Sequence, residues 1–378
     1  MAVNAKSIYD PDFDVFIPLW NFAPHFAGSV DYAISSAWIL RGALLLLVIL
    51  FVADLSQSNR WLLRLWYTIG LVAGSIAFLG LLQKATGARM IFWQTAPPWG
   101  AKTFFATYYY HGNAGAFLNL VWPLIAGLAI RAFTGRGHPA TRAVWLSVFV
   151  LTVAGVLANT SRMAHLIALL LLIAICLRSG PALLRRVWRM QKGIALAGTI
   201  VILLTLIALA QATHLEQPLS RWQLLSERIP NDARWQAWRI AAGALPDIGL
   251  FGFGPATFRV VFPFYNGVGV QRVQNIWRFL HEDYLQTALE WGWLGSTLWA
   301  LLFFGGIVVG IRSYKQYAAR DWTPRRRLLQ PFVIIALIGV GLHAMVDFPL
   351  QITSIQLYVA TYLGLCWGSG FWNRRSEG

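Results

Sequence analysis

Nine apolar stretches dominate the chain, near 36–53, 65–82, 114–131, 143–159, 163–178, 193–211, 285–311, 331–348 and 353–371. A helix needs roughly 17–25 mostly apolar residues to cross the hydrocarbon layer of a bilayer. Most of these runs reach that length, and the one at 163–178 is the shortest. Inside lipid the backbone must satisfy its own polar groups, so such runs predict helices rather than open strands. The pattern therefore predicts an all-α polytopic membrane protein with about nine transmembrane helices. Most polar interruptions are short. Residues 212–283 are the exception, a large loop with seven arginines that ends in His281-Glu282-Asp283. Long loops between packed elements are more often functional than filler.

The same pattern divides the chain. Residues 1–35 form an extracytoplasmic or interfacial amino-terminal segment, 36–211 carry helices one to six, 212–283 the large loop, 284–372 helices seven to nine, and 373–378 a cytoplasmic tail. Residues 1–35 lack the basic start and apolar core of a cleavable signal. The orientation derived below puts the amino terminus outside, so we expect either that upstream helices are missing or that 15–30 lies along the interface. Within the large loop, residues 231–245 space Trp235, Trp238 and Ala242 as one helical face, with Asn231 or Asp232 as its cap. Pro246 and the Gly249–Pro255 run predict turns, and 256–265 a second short helix. Gly292 and Gly295 predict a smooth face for close helix contact in the seventh span.

Composition strengthens this picture. The chain is 57% hydrophobic and 12% charged, against about 25% charged in an average soluble domain. Its net charge of +16 invites a nucleic-acid reading, but the distribution favours a membrane one. Segments 54–64, 131–142, 178–192, 312–330 and the tail hold 18 Lys+Arg against 3 Asp+Glu, and the opposite side holds 12 against 10. That asymmetry is the positive-inside signal and places the large loop outside. Cys176 and Cys366 sit singly in apolar helices, with no disulfide framework and no metal motif. We find no Walker loop or dinucleotide fingerprint.

Candidate chemistry gathers on the outer side. Arg162, Arg234 and Arg259 lie near predicted helix ends, and a guanidinium grips phosphate oxygens two at a time. Snorkelling, or ion pairs with Glu227, Asp232 or Asp247, are the alternative roles. Arg162 stands in a very short turn, close to the hydrocarbon boundary, where an unpaired charge is costly. His281 is the candidate base; an interfacial histidine bonded to backbone is its alternative. Asp283 falls in a first helical turn, where the dipole favours an acid. Glu290, two turns further, is costly there unless paired; it either pairs with an arginine or orients His281. His111 and His343 are weaker candidates, with His343 spaced to pair with Asp347 on one helix.

These residues resemble the O-antigen ligase and O-antigen polymerase superfamily over about residues 40–370. The resemblance rests on Arg234-Trp235-Gln236-Ala237-Trp238, on Gly252-Phe253-Gly254-Pro255-Ala256-Thr257-Phe258, and on His281-Glu282-Asp283-Tyr284-Leu285-Gln286 with Glu290, Gly292 and Gly295. Asn113-Ala114-Gly115-Ala116-Phe117, Ser161-Arg162 and His343-Ala344-Met345-Val346-Asp347-Phe348-Pro349 add to it. Two departures stand out: family members commonly carry about twelve spans, and His-Glu-Asp replaces the usual His-Asn-Asp.

The resemblance implies a bacterial inner-membrane glycosyltransferase with a periplasmic site. It would move a glycan from undecaprenyl pyrophosphate to an acceptor hydroxyl on a saccharide, lipid A-core or protein, with inversion and without metal or cofactor. Arg162, Arg234 and Arg259 would hold the pyrophosphate and His281 would take the hydroxyl proton. Asn113, Asp283 and Glu290 would support them. A polymerase or protein O-oligosaccharyltransferase would share this donor site. A transporter or flippase of lipid-linked saccharides is the alternative from another class, and a non-catalytic scaffold the third.

Overall fold

The computed structural model describes residues 4–372 except 11, 14, 21–22, 24–25, 98–103, 136–137, 190–191, 213–218, 220–221, 223–231, 268–272 and 275–276. A hairpin of β1 (Ser7–Asp10) and β2 (Val15–Pro18) opens the chain. Among the described residues eleven helices follow: α1 (Tyr32–Leu55), α2 (Asn59–Ala85), α3 (His111–Thr134), α4 (Pro139–Ala158), α5 (Arg162–Trp188), α6 (Lys192–Ala212), α7 (Ala233–Gly243), α8 (Phe258–Asn266), α9 (Asp283–Tyr317), α10 (Pro324–Ala344) and α11 (Thr353–Gly368). Among the described residues, α1 to α5, α9 and α10 are long and apolar enough to cross a membrane. The runs predicted at 193–211 and 353–371 form α6 and the 16-residue α11, which passes into a short 3-10 turn at Ser369–Phe371. This is an all-α polytopic membrane protein, with the hairpin as its one departure from helix among the named elements.

The chain divides into two compact units. One holds 51–226, 307–343 and 361–378. Its α2, α3, α4 and α5 pack against one another, and α3 is the most enclosed span, with 78% of its apolar window buried. Small residues allow that approach: a Cβ on Gly70 would lie 2.5 Å from Trp145, and one on Gly115 would lie 2.4 Å from the Ala164 Cβ. Without a hydrophobic drive between helices in lipid, such close fit is what holds spans together.

The other unit holds 1–50, 227–306 and 344–360. Asp232 caps α7 by accepting from the Arg234 N–H at 3.0 Å; Asn231, the alternative cap, lies outside the described residues. Ala237 and Ala241, one turn apart, turn the buried face of α7 toward Phe258 and Phe262 of α8 and toward Leu280 and Leu289. This small apolar core carries the candidate site. α10 ends at Ala344, short of the predicted 348, so Met345 to Phe348 form a turn. A residue before proline is steered away from helix, and Phe348 precedes Pro349.

Candidate functional site

The site begins with a broken helix. Gly292 interrupts α9 at φ 66°, ψ −171°, a backbone region open essentially to glycine alone. The break leaves the carbonyls of Leu289 and Glu290 without partners inside the helix. They accept instead from the N–H groups of Phe253 (2.9 Å) and Gly254 (3.0 Å), while the Leu294 N–H donates to the Leu250 carbonyl at 3.0 Å. The Gly252–Pro255 turn is thus laced into the gap. A Cβ on Gly292 would lie 2.3 Å from the Gly252 nitrogen, and one on Gly252 would lie 2.4 Å from the Gly292 nitrogen. Gly292 therefore does not supply the smooth helix face expected from sequence. It supplies a backbone crossing, and Gly295 lies against Trp291 of its own helix.

Glu290 sits under this turn, 1% exposed. Its carboxylate accepts from the N–H groups of Ala256 (2.9 Å) and Phe258 (3.3 Å) and from Gln286 Nε2 (3.0 Å). It thereby satisfies donors at the start of α8 that no helical carbonyl can reach. The expected pairing of Glu290 with an arginine is corrected: its partners are two backbone N–H groups and Gln286. Arg259 is the second residue of α8, so Glu290 acts on it by fixing the turn. Arg259 is exposed and has no hydrogen bond or ion pair among the described residues.

Gln286 carries the connection onward. Its Oε1 accepts the Leu280 N–H at 2.9 Å, and the Leu280 carbonyl accepts from Trp238 Nε1 at 3.0 Å. With both backbone groups of Leu280 held, the next residue, His281, adopts φ 59°. A non-glycine residue is strained there, and such strain clusters at functional sites. His281 Nδ1 lies 3.0 Å from Asp347 Oδ1, with the histidine side chain 23% and the aspartate 5% exposed. The rings of Phe348 and Trp277 meet the imidazole edge to face, at 4.7 and 5.8 Å. With Nδ1–H donating to the carboxylate, Nε2 is the ring's acceptor atom. The expected pairing of Asp347 with His343 needed one continuous helix, and α10 stops before it.

Arg234 reaches the neighbouring residue. Its Nη1 donates to the Val346 carbonyl at 3.1 Å, and its Nε lies 4.0 Å from Asp232, a loose ion pair. Asp283 is buried, 1% exposed, and binds the same segment from the other end: it accepts from the Leu350 N–H at 2.7 Å and from Gln351 Nε2 at 3.0 Å. Arg41 of α1 donates to the Gln351 carbonyl at 3.0 Å. Asp283 thus serves a distant turn, and the start of its own helix is served by Glu282, which accepts from the N–H groups of Tyr284 and Leu285. Burial pushes the Glu282 carboxyl above the usual carboxylate range, and those two N–H groups oppose the shift.

The structure therefore brings Arg234 and His281 together on Val346-Asp347 and ties Asp283 to the same turn. Of the proposed ion-pair partners, Asp247 takes the Tyr265 hydroxyl at 2.7 Å and Glu227 lies outside the described residues. A small cavity lies between α7, α8 and α9, lined by Ala241, Phe253, Phe258, Phe262, Tyr265 and Leu289 among others. His281, Arg234 and Arg259 do not line it, so it is a gap in the apolar core rather than the site.

Arg162 and Asn113 belong to the other unit and have their own setting there. Arg162 opens α5, capped by Ser161, whose hydroxyl accepts from Ala164. Asn159 shapes this turn by accepting the Ser161 N–H (2.7 Å) and donating to the His111 carbonyl (3.1 Å). Arg162 Nη1 and Asn113 Oδ1 are buried and lack hydrogen-bond partners among the described residues. His165, one turn on, lies 3.1 Å from the Val156 carbonyl and receives Trp222 Nε1 at 3.2 Å.

Sequence reasoning missed Gln286, Trp238 and the role of Asp347. Gln286 carried one faint signal, its position four residues before Glu290 on the same helix.

Apolar spans beside a polar cluster of arginine, histidine and buried carboxylates define an integral membrane protein. Residues 147–300 match the family model described as O-Antigen ligase. That stretch, less than half of the chain, is similar to the O-antigen ligase family. The match spans α7, α8, the broken helix and His281, and also Arg162. No curated protein matches the sequence significantly.

Proposed function

We propose that this protein transfers a glycan from undecaprenyl pyrophosphate to an acceptor hydroxyl at the periplasmic face of the inner membrane. The observation that carries the reading is the His281–Asp347 pair with Arg234 bound to the adjacent carbonyl. His281 Nε2 takes the proton from the acceptor hydroxyl as its oxygen attacks the anomeric carbon. The bond from that carbon to the pyrophosphate oxygen breaks, and undecaprenyl pyrophosphate leaves with the electron pair. Attack from the face opposite the leaving group inverts the configuration. Asp347 holds the imidazole in the tautomer with the proton on Nδ1 and stabilises the imidazolium that forms. Arg234 and Arg259 balance charge growing on the leaving oxygen. The resemblance, rather than the geometry, assigns Arg162 to phosphate binding; its Nη1 is buried with no hydrogen-bond partner among the described residues. Asn113 is its supporting neighbour in sequence-motif terms, and Asp283 and Glu290 hold turns rather than substrate.

Ligase, polymerase and protein-glycosylating activities share this donor chemistry and differ in the acceptor. The test supplies purified protein in nanodiscs with a lipid-linked glycan and a panel of acceptors: lipid A-core, the free repeat unit and a serine-containing peptide. Release of undecaprenyl pyrophosphate coupled to a new glycosidic bond supports the proposal, and the acceptor that works names the branch. Movement of intact donor across the bilayer with no bond cleavage would replace it with the transporter reading.

A further inference from the structure

We propose that the amino-terminal hairpin is a membrane-docking element that rests in the headgroup layer of the bilayer. β2 reads Val15-Phe16-Ile17-Pro18 and is exposed along its whole length. Its apolar residues do not alternate with polar ones, so β2 is apolar on both faces, while β1 (Ser7-Ile8-Tyr9-Asp10) adds Tyr9 to one face and Ile8 to the other. Phe13, Trp20 and Phe26 are 77%, 91% and 73% exposed. An isolated hairpin is marginal in water, and a bare apolar strand with an open edge is an aggregation site.

Three observations commit the face to lipid. The hairpin lies beside the start of α1, with the Lys6 N–H and the Ser7 hydroxyl donating to the Ser29 and Val30 carbonyls, and α1 exposes Tyr32, Ile39, Leu40, Leu44 and Leu47. The apolar surface of a span thus continues into that of the hairpin. Unpaired edge groups bar the hairpin from the hydrocarbon core, while aromatic rings settle at the level of the headgroups. The hairpin turn exposes Asp12, and Asp10 accepts from the Asp12 N–H, so the attraction needs no anionic lipid.

The hairpin is also fastened to the site. Lys6 N–H donates to the Ser29 carbonyl (2.8 Å), Val30 N–H to the Phe253 carbonyl (3.0 Å) and the Ser35 hydroxyl to the Pro255 carbonyl (3.1 Å). A Cβ on Gly254 would lie 2.2 Å from Ser29 Oγ. Docking does not depend on the transferase reading. Only its consequence does: the turn that starts α8 and carries Arg259 is held at the depth of lipid phosphates.

The test places a spin label at Phe16→Cys, Trp20→Cys or Phe26→Cys, in full-length protein with Cys176→Ser and Cys366→Ser, in phosphatidylcholine nanodiscs. Collision with oxygen should exceed collision with a water-soluble nickel chelate at all three sites, unchanged by added phosphatidylglycerol or by high salt. Asp12→Cys should report water. Nickel access equal to that of Asp12→Cys at all three sites would overturn the proposal, as would protection from both reagents, which would mean a protein partner. Native cysteines are kept in a second measurement: quenching of tryptophan fluorescence by brominated lipid should fall in Trp20→Phe, and equal quenching with and without Trp20 would overturn it.

Discussion

Gly292→Ala is the sharpest perturbation of the site that leaves its polar side chains in place. Forcing alanine to φ 66°, ψ −171° costs about 1–3 kcal/mol. The added Cβ would stand 2.3 Å from the Gly252 nitrogen, which cannot yield easily because its N–H donates to the Ile248 carbonyl at 2.8 Å. Relief requires the turn to lift out of the break. That costs the bonds from Phe253, Gly254 and Leu294, each contributing about 0.5–1.5 kcal/mol net. The sum is roughly 3–7 kcal/mol, since the three bonds and the backbone strain fall on one crossing. Hydrogen exchange by mass spectrometry in nanodiscs reads this directly. Amides 253, 254 and 294 should lose at least about a hundredfold of their protection. Gly249→Ala is the control: Gly249 also has positive φ, but a Cβ there meets nothing within 4 Å, so it carries strain alone. Equal protection in Gly292→Ala and wild type, or equal loss in the two variants, would refute the crossing.

Other expectations follow from the same geometry. Asp347→Asn should lower turnover by about 10²–10⁴ with donor affinity retained, in line with loss of general-base efficiency; a matched fall in donor affinity would assign Asp347 to binding instead. Glu290→Ala should orphan two backbone N–H groups at a cost of about 1–3 kcal/mol each, raising proteolytic cleavage near 256–258 while exchange at Leu350 stays unchanged. Asp283→Ala should do the reverse, loosening 350–351 and sparing 256–258. Arg259→Ala should weaken donor binding and flatten its salt dependence, because an exposed cation acts through screened attraction; an unchanged salt profile would remove Arg259 from the donor site.

Much of this fold was legible because the bilayer constrains it. All nine apolar runs became helices, since lipid offers backbone groups no other partner. The helix at 231–245 and its cap at Asp232 also followed from local chemistry, but its buried face is Ala237 and Ala241, with Trp235 and Ala242 exposed. Of the candidate residues the structure joins His281 and Arg234 on one segment, and the bonds that do so were not legible in the sequence. Glu290 needed partners; Gln286 lies one turn away on the same helix, but the other two are backbone 34 and 32 residues away, and no spacing rule reaches that far. Gly292 sits in an aromatic, apolar run that reads as unbroken helix. Asp347 was assigned to His343 because the two share a face only if α10 continues, and it stops at Ala344. The hairpin escaped notice because Val15 to Pro18 lacks the period-two alternation by which a strand facing water on one side is read.

The central claim is that His281 is the base and Arg234 part of the grip on the leaving group. Single-turnover transfer with donor binding measured in parallel separates these roles for His281→Ala. The account predicts donor bound as tightly as by wild type and transfer slowed by about 10²–10⁴. Transfer at the wild-type rate by His281→Ala would contradict it.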